Sequence, residues 1–494
     1  MRATKLQTAR DGEALRRPRR RVAVLVLAIA AGLVGCEEQQ VQDREYKSQP
    51  AELRQALGLA RDRAERLEVL DLMAAVEDIV ARSHPELLDA VRPIVDDPDP
   101  MLAAKAADVL SQWGDDYVLA ALARMLRHSD PWVRLSAASS LAVLDHPDAV
   151  PLAAEATGDA EANVRAQACR ALAEIRLPLS GRNLQLLRER LADDHPSVRA
   201  AAATALGRVG NADDHAALRA ALGDANEGVV AAAADALGRM DDRGAVPLLV
   251  GVLTSGTQAT RVAAAAALGR IRDPEVVPAL IDQLGHSDSI VRGEVMRSLS
   301  ELDDPRAMMP ILGLALDDDP LIQGYVPFVA ASLYEPSHFE MFRANLNDDA
   351  FEVRGSAALA LGLAGEDRAI PLLRERLRDP HHRVRIGAVR ALGILGAAEA
   401  IDDLENAWHY DPNPQVRDAA EVGLALAKIE GTSLADRLMR GLTSDTPAVR
   451  LESVSLLTAL DDKRAIDALR LRLRDEDRLI RYAARFAIKT LLDE

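Results

Sequence analysis

Residues 193–209 of the chain read DDHPSVRAAAATALGRV, and residues 379–395 read DPHHRVRIGAVRALGIL. In both stretches an aspartate lies six residues before the arginine of a Val-Arg pair, an alanine lies four residues after the valine, and a leucine follows four residues later. A spacing of four residues keeps the valine, the alanine and the leucine on one stripe of a helix. Each stretch therefore predicts a helix with one apolar stripe, entered from a polar turn.

The same pattern recurs over most of the 494 residues. Thirteen positions are equivalent to the arginine of the Val-Arg pair; ten hold arginine, twelve follow Val, Ile or Leu, and nine of the twelve intervals are 31 residues. A second helical segment follows, opening with Ala-Val-Pro-Leu-Leu or a variant, and proline is tolerated in a first turn because the N–H there has no partner in the helix. The equivalent positions, called anchor positions below, are 103, 134, 165, 199, 230, 261, 292, 323, 354, 385, 417, 450 and 481.

A period of this length is typical of stacked helix pairs. The sequence therefore predicts an all-α fold, a right-handed α-solenoid of about 13 helix-pair repeats of about 31 residues each, over residues 51–494. Residues 51–95 are expected to form the N-terminal cap region, and residues 475–494 a polar C-terminal cap. Aromatic residues make up only 3% of the chain, which suits helices that approach closely through Ala and Leu.

The repeat resembles the HEAT-repeat family, and more closely its short phycobilisome-lyase-type subclass, over about 400 of the 494 residues. The resemblance implies that the aspartates and arginines form a ladder of hydrogen-bonded ion pairs between successive repeats, around a core of the Val, Ala and Leu stripe. The arginines could instead form a ligand-binding row, although a group that recurs in every repeat is more often structural. The ladder residues expected from the resemblance include Asp193, Arg199, Asp348, Arg354, Asp379, Arg385, Asp475 and Arg481.

The N-terminal segment resembles a bacterial lipoprotein signal. Residues 1–21 carry eight basic and two acidic side chains, and residues 22–35 are the uncharged run VAVLVLAIAAGLVG. Fourteen residues span about 21 Å as a helix, less than the roughly 30 Å of a bilayer core, so a signal peptide is favoured over a transmembrane helix. The run ends in LVGC, which resembles a lipobox. We expect residues 1–35 to be removed, Cys36 to be lipidated, and residues 36–50 to be a polar tether.

The charge of the chain restricts its partners. The full chain has a formal net charge of -17, and residues 36–494 have 52 basic and 75 acidic side chains. Nucleic acid is not an expected partner, because its phosphates require a basic surface. The same acidity is expected to hold the body of the protein away from anionic lipid head groups. Lipidation implies the bacterial cell envelope, and Glu37 favours the outer over the inner membrane by analogy with the enterobacterial sorting rule.

No catalytic residue, metal site or cofactor is predicted. The ten histidines are scattered and no His-Glu dipeptide occurs, whereas the HEAT-like di-iron hydroxylases, which have a similar architecture, use His-Glu as iron ligands. The chain also lacks a nucleophile elbow and a glycine-rich phosphate loop. Cys169 lies in an alanine-rich helical segment and is expected to pack in the core. An enzyme of the bilin-lyase-like HEAT family is the alternative, but bilin chemistry is cytosolic and the signal directs export.

One repeat departs from the pattern. Six of the fourteen aromatic residues fall between positions 325 and 351, and this repeat has Gln323 at its anchor position. Aromatic side chains bring a large contact area at low entropic cost, so the cluster is a candidate site for a partner; the alternative is a core repacked around a bent helix. The candidates are Tyr325, Phe328, Tyr334, Phe339 and Phe342, with smaller groups at Trp408 and Tyr410 and at Trp113, Tyr117 and Trp132.

The sequence as a whole favours a non-enzymatic scaffold or assembly factor, anchored by lipid, that binds a protein or peptide partner in the envelope. It does not distinguish one partner from several, and it leaves the oligomeric state open.

Overall fold

The computed structural model describes residues 53–60, 62–74, 76, 81, 83–144, 146–175, 178–429, 434–460 and 462–492. Within these residues the regular secondary structure is helical, without a strand. No helix in the same residues combines the length and the apolarity needed to span a bilayer. The predicted signal segment 1–35, the lipidation site Cys36 and the tether 36–50 lie outside the described residues.

The chain divides into two compact units, Met1–Ala245 and Val246–Glu494. In both, long and short helices alternate, and each odd-numbered helix from α3 onward contains one anchor position. We call these the first helices and the even-numbered helices that follow them the second helices. Unit 1 contains α1 (Arg63–Ala74), α2 (Pro85–Val91), α3 (Pro100–Gln112), α4 (Val118–Met125), α5 (Pro131–Val143), α6 (Ala149–Ala156), α7 (Ala162–Glu174), α8 (Gly181–Arg190), α9 (Pro196–Val209), α10 (His215–Ala221) and α11 (Glu227–Arg239).

Unit 2 continues the alternation to the end of the described chain. Its helices are α12 (Val246–Ser255), α13 (Gln258–Ile271), α14 (Val277–Gln283), α15 (Ser289–Leu302), α16 (Met308–Gly313), α17 (Pro320–Ser332), α18 (Phe339–Asn345), α19 (Phe351–Leu363), α20 (Ile370–Arg376), α21 (His382–Leu395), α22 (Ile401–Tyr410), α23 (Pro414–Lys428), α24 (Leu434–Gly441), α25 (Pro447–Ala459), α26 (Ile466–Arg472) and α27 (Arg478–Leu492). The predicted all-α fold of stacked helix pairs is confirmed.

Four first helices, α3, α5, α17 and α23, begin after an Asp or Asn cap that precedes a proline. The carboxylate of Asp130 accepts a hydrogen bond from the Trp132 N–H at 2.9 Å, and the side chain of Asn413 accepts one from the Gln415 N–H at 2.8 Å. The residue between cap and donor is a proline, which lacks an N–H and has the helical φ already. The polar turns predicted from the sequence are therefore helix caps.

The apolar stripe of the first helices forms the core of each unit. Val198, Ala202 and Leu206 of α9 are fully inaccessible to solvent, as are the equivalent residues of α21. Consecutive first helices pack closely because small residues follow the leucine. A Cβ on Gly207 would lie 2.6 Å from the Cα of Ala236, and one on Gly393 would lie 2.6 Å from the Cα of Gly423. Side chains at these glycine positions would force the helices apart.

The two predicted caps differ in composition. At the N-terminal end, α1 packs against α3 and buries Val69, Leu70 and Met73. At the C-terminal end, the exposed surface of α27 is less polar than the sequence analysis expected, because Tyr482 and Phe486 are exposed beside its basic residues.

Candidate binding face of the first helices

The anchor arginine joins two consecutive repeats. Nε and Nη2 of Arg199 donate to the two carboxylate oxygens of Asp224 at 2.7 and 2.8 Å, while its Nη1 donates to the main-chain oxygen of Asp193 at 2.9 Å. The Asp224 carboxylate also accepts the N–H of Asn226 at 2.8 Å. One guanidinium thus ties the turn before its own helix to the turn before the next first helix. Equivalent pairs are Arg134–Asp159, Arg165–Asp193, Arg292–Asp317, Arg354–Asp379, Arg385–Asp411 and Arg450–Asp475.

Asp193, Asp379 and Asp475 each contact the arginine of their own repeat through the main-chain oxygen and the arginine of the preceding repeat through the carboxylate. Asp193 and Arg199, six residues apart, meet through the main-chain oxygen of the aspartate, and the Asp193 carboxylate binds Arg165 of the preceding repeat. Asp379 likewise offers its carboxylate to Arg354 and its main-chain oxygen to Arg385. In the last repeat, Arg481 donates to the main-chain oxygen of Asp475 at 2.6 Å, and Asp475 gives its carboxylate to Arg450.

These contacts favour the charged forms of both partners. The hydrogen bonds from Arg199 lower the pKa of Asp224, and the same contact raises the pKa of Arg199. For Asp475, burial alone would raise the pKa, but the hydrogen bonds from Arg450 and from the Asp477 N–H outweigh it, and the pKa is lowered. The ladder is therefore an electrostatic contribution to stability that depends on ionised aspartates.

The rung of the repeat that has Gln323 lacks its ion pair, as do the rungs after Arg261 and Arg417, which pair with no carboxylate among the described residues. The Gln323 Nε2 donates to the main-chain oxygen of Asp317 at 2.6 Å, as an anchor arginine does within its own repeat. The Asp348 carboxylate accepts the Ala350 N–H at 2.8 Å, but among the described residues no arginine pairs with it. The main-chain oxygen of Asp348 still accepts a hydrogen bond from Arg354. The rung between α17 and α19 therefore keeps its main-chain contacts and lacks its ion pair.

A second set of ion pairs was not predicted. In unit 1, arginines at or just after the second helices reach an acid in the turn that ends the next first helix. Nε of Arg92 donates to Asp115 at 2.8 Å, and Nε of Arg219 donates to Asp242 at 2.6 Å. The acid lies twelve residues after the anchor position in both cases. Another pair between repeats in unit 1 is Arg188–Asp214. In unit 2 the acid twelve residues after the anchor position pairs instead with an arginine two residues later, in Asp304–Arg306, Glu366–Arg368 and Asp462–Arg464.

Each unit has a cavity lined by its first helices. One, in unit 1, has a volume of about 490 Å³ and lies across α1, α3 and α5; the other, in unit 2, has a volume of about 310 Å³ and lies across α17, α19 and α21. Both are lined by the residues two before and one, two and five after an anchor position. We call these four positions the first-helix face. In α3 and α5 they are Met101, Ala104, Lys105, Asp108, Trp132, Leu135, Ser136 and Ser139, and in α19 and α21 they are Glu352, Gly355, Ser356, Leu359, Arg383, Ile386, Gly387 and Arg390.

The cavity in unit 1 combines an apolar wall with one lysine. Trp132 and Met101 are exposed on this face. The Lys105 Nζ lies 2.8 Å from the carboxylate of Asp71 and 3.6 Å from that of Asp108. Burial alone would lower the pKa of Lys105, but these two carboxylates outweigh it and raise the pKa. The site thus offers a flat indole surface beside a fixed charged group.

The cavity in unit 2 has a similar composition. The ring of Phe351 stacks on His381 with 3.5 Å between centroids, and the guanidinium of Arg383 lies 6.0 Å from the Phe351 centroid. Arg390 donates from Nε to Glu452 at 2.9 Å. Space is available here because Gly324 and Gly355 carry no side chain on this face. An aromatic surface next to charged groups suits a peptide better than a small apolar molecule.

The sequence is similar to a known family of helical repeats. The sequence profile of HEAT repeats matches residues 51–142, 120–196, 184–263, 251–324 and 339–425, which together make up more than half of the chain. The chain belongs to the HEAT-repeat family. No curated protein sequence matches this HEAT-repeat chain.

Solved structures share its fold at low sequence identity. Yeast importin-beta (Kap95p) is 13% identical with a TM-score of 0.56, over 96% of this chain and 77% of Kap95p. A structure of Kap95p with RanGDP is 13% identical with a TM-score of 0.55, over 96% of this chain and 78% of that one. At this identity the likeness establishes the HEAT-repeat fold alone.

The aromatic cluster of the HEAT repeat around Gln323 packs mainly against its own repeat and the next. Phe342 is fully buried and cannot contact a partner in this structure, and Tyr334 meets it edge-on at 5.4 Å. The Tyr334 hydroxyl donates to Glu366 at 2.6 Å, and burial together with this hydrogen bond raises the pKa of Tyr334 to about 12. Phe339 lies under the guanidinium of Arg368, 4.3 Å from the ring centroid.

The remaining candidates are half-buried. Phe328 packs against the hydrophobic core of unit 2, and burial raises the pKa of Tyr325. The five predicted residues therefore do not form one exposed patch. The aromatic side chains that line the cavities are instead Trp132, from one of the smaller groups, and Phe351, which was counted in the cluster but not chosen as a candidate.

The described residues show little that could perform covalent chemistry. Within them, no group of three or more His, Cys, Asp or Glu residues is placed to hold a metal ion. Cys169 is buried, and this burial raises the pKa of its thiol to about 12, so that it stays protonated at neutral pH.

Proposed function

We propose that this HEAT-repeat chain is a non-enzymatic scaffold or assembly factor that binds a protein or peptide along its first-helix face. The observation that carries the proposal is that the same four positions line a cavity in each of the two units. A repeated surface of this kind suits an extended partner that makes similar contacts on successive repeats. Kap95p, whose fold is similar, binds RanGDP, which supports a protein partner by analogy.

The scaffold acts at a bacterial membrane in this proposal. The basic segment, the fourteen-residue apolar run and the LVGC motif support a lipoprotein precursor, and Glu37 supports the outer membrane. The 31-residue period supports the short phycobilisome-lyase-type subclass, here without lyase activity. Replacing Cys36 by serine is expected to abolish incorporation of labelled palmitate into the protein and to release it from membranes; palmitate labelling of Cys36→Ser at the wild-type level would contradict lipidation at this residue.

The binding face is tested by photo-crosslinking of the full chain in cells. A photoreactive amino acid is placed at Ser136 or Ser139 in unit 1 and at Gly324 in unit 2, all of which line the cavities. Matched controls carry it at Leu248 and Met309, which are exposed on second helices. We expect the same partner to be cross-linked from both units and not from the controls.

Two outcomes would overturn the proposed face. In the first, cross-links arise equally from the second helices, which would show that the partner does not select the first-helix face. In the second, no position yields a cross-linked protein, although the variants keep the helical circular dichroism of the wild type. Neither outcome depends on Cys36, so the membrane and the partner proposals are tested separately.

A further inference from the structure

Helix α27 has one face that no other element of the described residues covers. Leu479, Tyr482 and Phe486 are 65%, 72% and 61% exposed. Their spacing of three and four residues places them on one stripe of the helix, at the first-helix-face positions two before and one and five after Arg481, outside the cavity of unit 2. The opposite side of α27 is packed and buries Ile480, Ala484, Ala487 and Leu491.

Basic side chains flank this stripe. Arg478, Arg485 and Lys489 are exposed, and in the part of the chain that the structure describes none of them has a carboxylate partner. From position 467 to position 494 the chain has seven basic and six acidic residues, whereas its net charge is -17. The exposed face of α27 thus combines an apolar stripe with three cations on a protein that is otherwise strongly acidic. The overall charge, from which we expected repulsion from anionic lipid, does not describe this face.

The basic residues beside the stripe occupy positions that pack against the next first helix elsewhere in the chain. Four residues after the anchor position, where α27 has Arg485, the earlier helices α7, α9 and α11 bury Cys169, Ala203 and Ala234. Eight residues after it, α27 has Lys489 where α9 has Gly207, the close contact between first helices. A further repeat stacked in the same way, from this chain or a second copy, would have to bury two unpaired cations.

We propose that this face of α27 binds the surface of an anionic phospholipid bilayer. Leu479, Tyr482 and Phe486 enter the interface, where aromatic rings and leucines are favoured, and the three basic side chains contact lipid phosphates. The argument is charge complementarity: a bilayer supplies many mobile phosphates to cations that have no partner in the protein. The inference concerns a second membrane contact and does not require that Cys36 be lipidated.

The test measures the fluorescence of a single polarity-sensitive dye attached to α27. The chain has two cysteines; Cys169 is buried, and Cys36 is the expected lipidation site. A cysteine introduced by Phe486→Cys can therefore be labelled selectively with the polarity-sensitive dye NBD. The full chain, purified in detergent, is reconstituted into vesicles of phosphatidylcholine alone or with 30% phosphatidylglycerol. The controls are Leu321→Cys and Tyr410→Cys, because both positions are highly exposed far along the sequence from α27.

We expect NBD at position 486 to gain fluorescence at least twofold and to shift to the blue in vesicles with phosphatidylglycerol, and the two control labels to stay unchanged. A variant that also carries Arg478→Glu, Arg485→Glu and Lys489→Glu should lose most of the gain and keep its helical circular dichroism. If Cys36 is not lipidated, the same fluorescence response should appear when anionic vesicles are added to the soluble protein. The test of lipid binding by α27 is therefore independent of the proposal that Cys36 is lipidated.

Three results would overturn the inference. A gain at position 486 that rises with protein concentration in the absence of vesicles would identify a second copy as the occupant. A gain of equal size in both kinds of vesicle would show that the basic residues are irrelevant. The absence of any gain with anionic vesicles would show that the face stays in water.

Discussion

A single guanidinium group carries much of the connection between two repeats. The side chain of Arg450 is almost completely buried, donates to both carboxylate oxygens of Asp475 at 2.9 Å, and donates to the main-chain oxygen of Ser444 at 2.9 Å. Its removal would leave the buried Asp475 carboxylate with only one, longer cation contact, to Arg472 at 3.3 Å. The contribution of such a residue is therefore larger than that of an ion pair on the surface.

The first prediction concerns this residue. Replacing Arg450 by alanine is expected to lower the free energy of unfolding by about 2 to 3 kcal/mol, because the buried Asp475 carboxylate loses two short charged hydrogen bonds and keeps only the longer contact to Arg472. Urea unfolding followed by circular dichroism measures the change. The control is Arg464→Ala, since Arg464 pairs with Asp462 at the surface and its loss should leave the urea midpoint unchanged. Equal effects of the two substitutions would refute the special role of the anchor arginine.

The second prediction is a gain of stability. Gln323→Arg places an anchor arginine opposite Asp348, the carboxylate of the incomplete rung, and is expected to raise the free energy of unfolding by about 1 kcal/mol. Gln323→Met, which has a similar length and no charge, should give no such gain. A lower urea midpoint for Gln323→Arg than for Gln323→Met would show that Asp348 is not available to an arginine. Because Gln323 lines the cavity of unit 2, the arginine should also reduce cross-linking from Gly324.

At the scale of the helices, close approach limits what a position can hold. Gly393 of α21 faces the backbone of Gly423 in α23, and a Cβ would lie 2.6 Å from both its Cα and its main-chain oxygen. Gly251 of α12 has no atom within 4 Å of the place where its Cβ would be. Close helix packing therefore requires a glycine at position 393 and does not require one at position 251.

The third prediction compares these two positions. Gly393→Ala is expected to destabilise the protein by about 1 to 3 kcal/mol, because the added methyl group pushes two packed helices apart. Gly251→Ala should stabilise it by a few tenths to about 1 kcal/mol, because alanine has the higher helix propensity and meets no neighbour. Urea midpoints of the two variants measure the difference. If both substitutions had the same sign, close helix packing at Gly393 would be ruled out.

The helices were largely predictable because their signals are local. The Val-Arg pattern located the first helices, and residues such as Asp130 and Pro131 marked their beginning. The surface was less predictable. A count of aromatic residues identified the repeat of Phe342 but not that this ring is buried, because the direction of a side chain depends on which helix packs against it. Trp132 lines a cavity because of the way α1, α3 and α5 pack, and this packing is not visible in the sequence around Trp132.

The ion pairs of the second set illustrate the same limit. Asp115 and Asp242 have the composition of an ordinary helix end, and nothing near them in sequence indicates a partner. Arg92 and Arg219 lie 23 residues earlier, in a different repeat. Such a pair becomes visible only when two repeats are stacked.

For the molecule as a whole, the ladder makes stability depend on pH. The pKa values of seven ladder aspartates are lowered by their arginines and by main-chain N–H groups: Asp159, Asp193, Asp224, Asp317, Asp379, Asp411 and Asp475. A carboxylate whose pKa is lower in the folded state than its unfolded value of about 3.9 stabilises the protein fully above the unfolded pKa. That contribution is lost as the pH falls through the folded-state pKa.

The fourth prediction follows from this sign. The melting temperature should change little between about pH 7 and pH 5 and fall steeply below about pH 4, where several rungs lose their charge together. Circular dichroism melts at closely spaced pH values measure it. In Arg450→Ala the acid-induced fall should be smaller, since one of the aspartates has lost its arginine. A melting temperature that stays constant down to pH 2 would contradict a stabilising role of the ionised ladder.

The incomplete rung at Gln323 also has a mechanical consequence. A pair of repeats joined by a bidentate ion pair resists shear, because sliding one turn past the next breaks two charged hydrogen bonds at once. Between α17 and α19 that resistance is reduced to main-chain contacts, as it is after Arg261 and Arg417, whose guanidinium groups pair with no carboxylate among the described residues. The joint between α17 and α19 borders the cavity of about 310 Å³. A partner that inserts into this cavity could therefore move α17 relative to α19 without breaking an ion pair between their repeats.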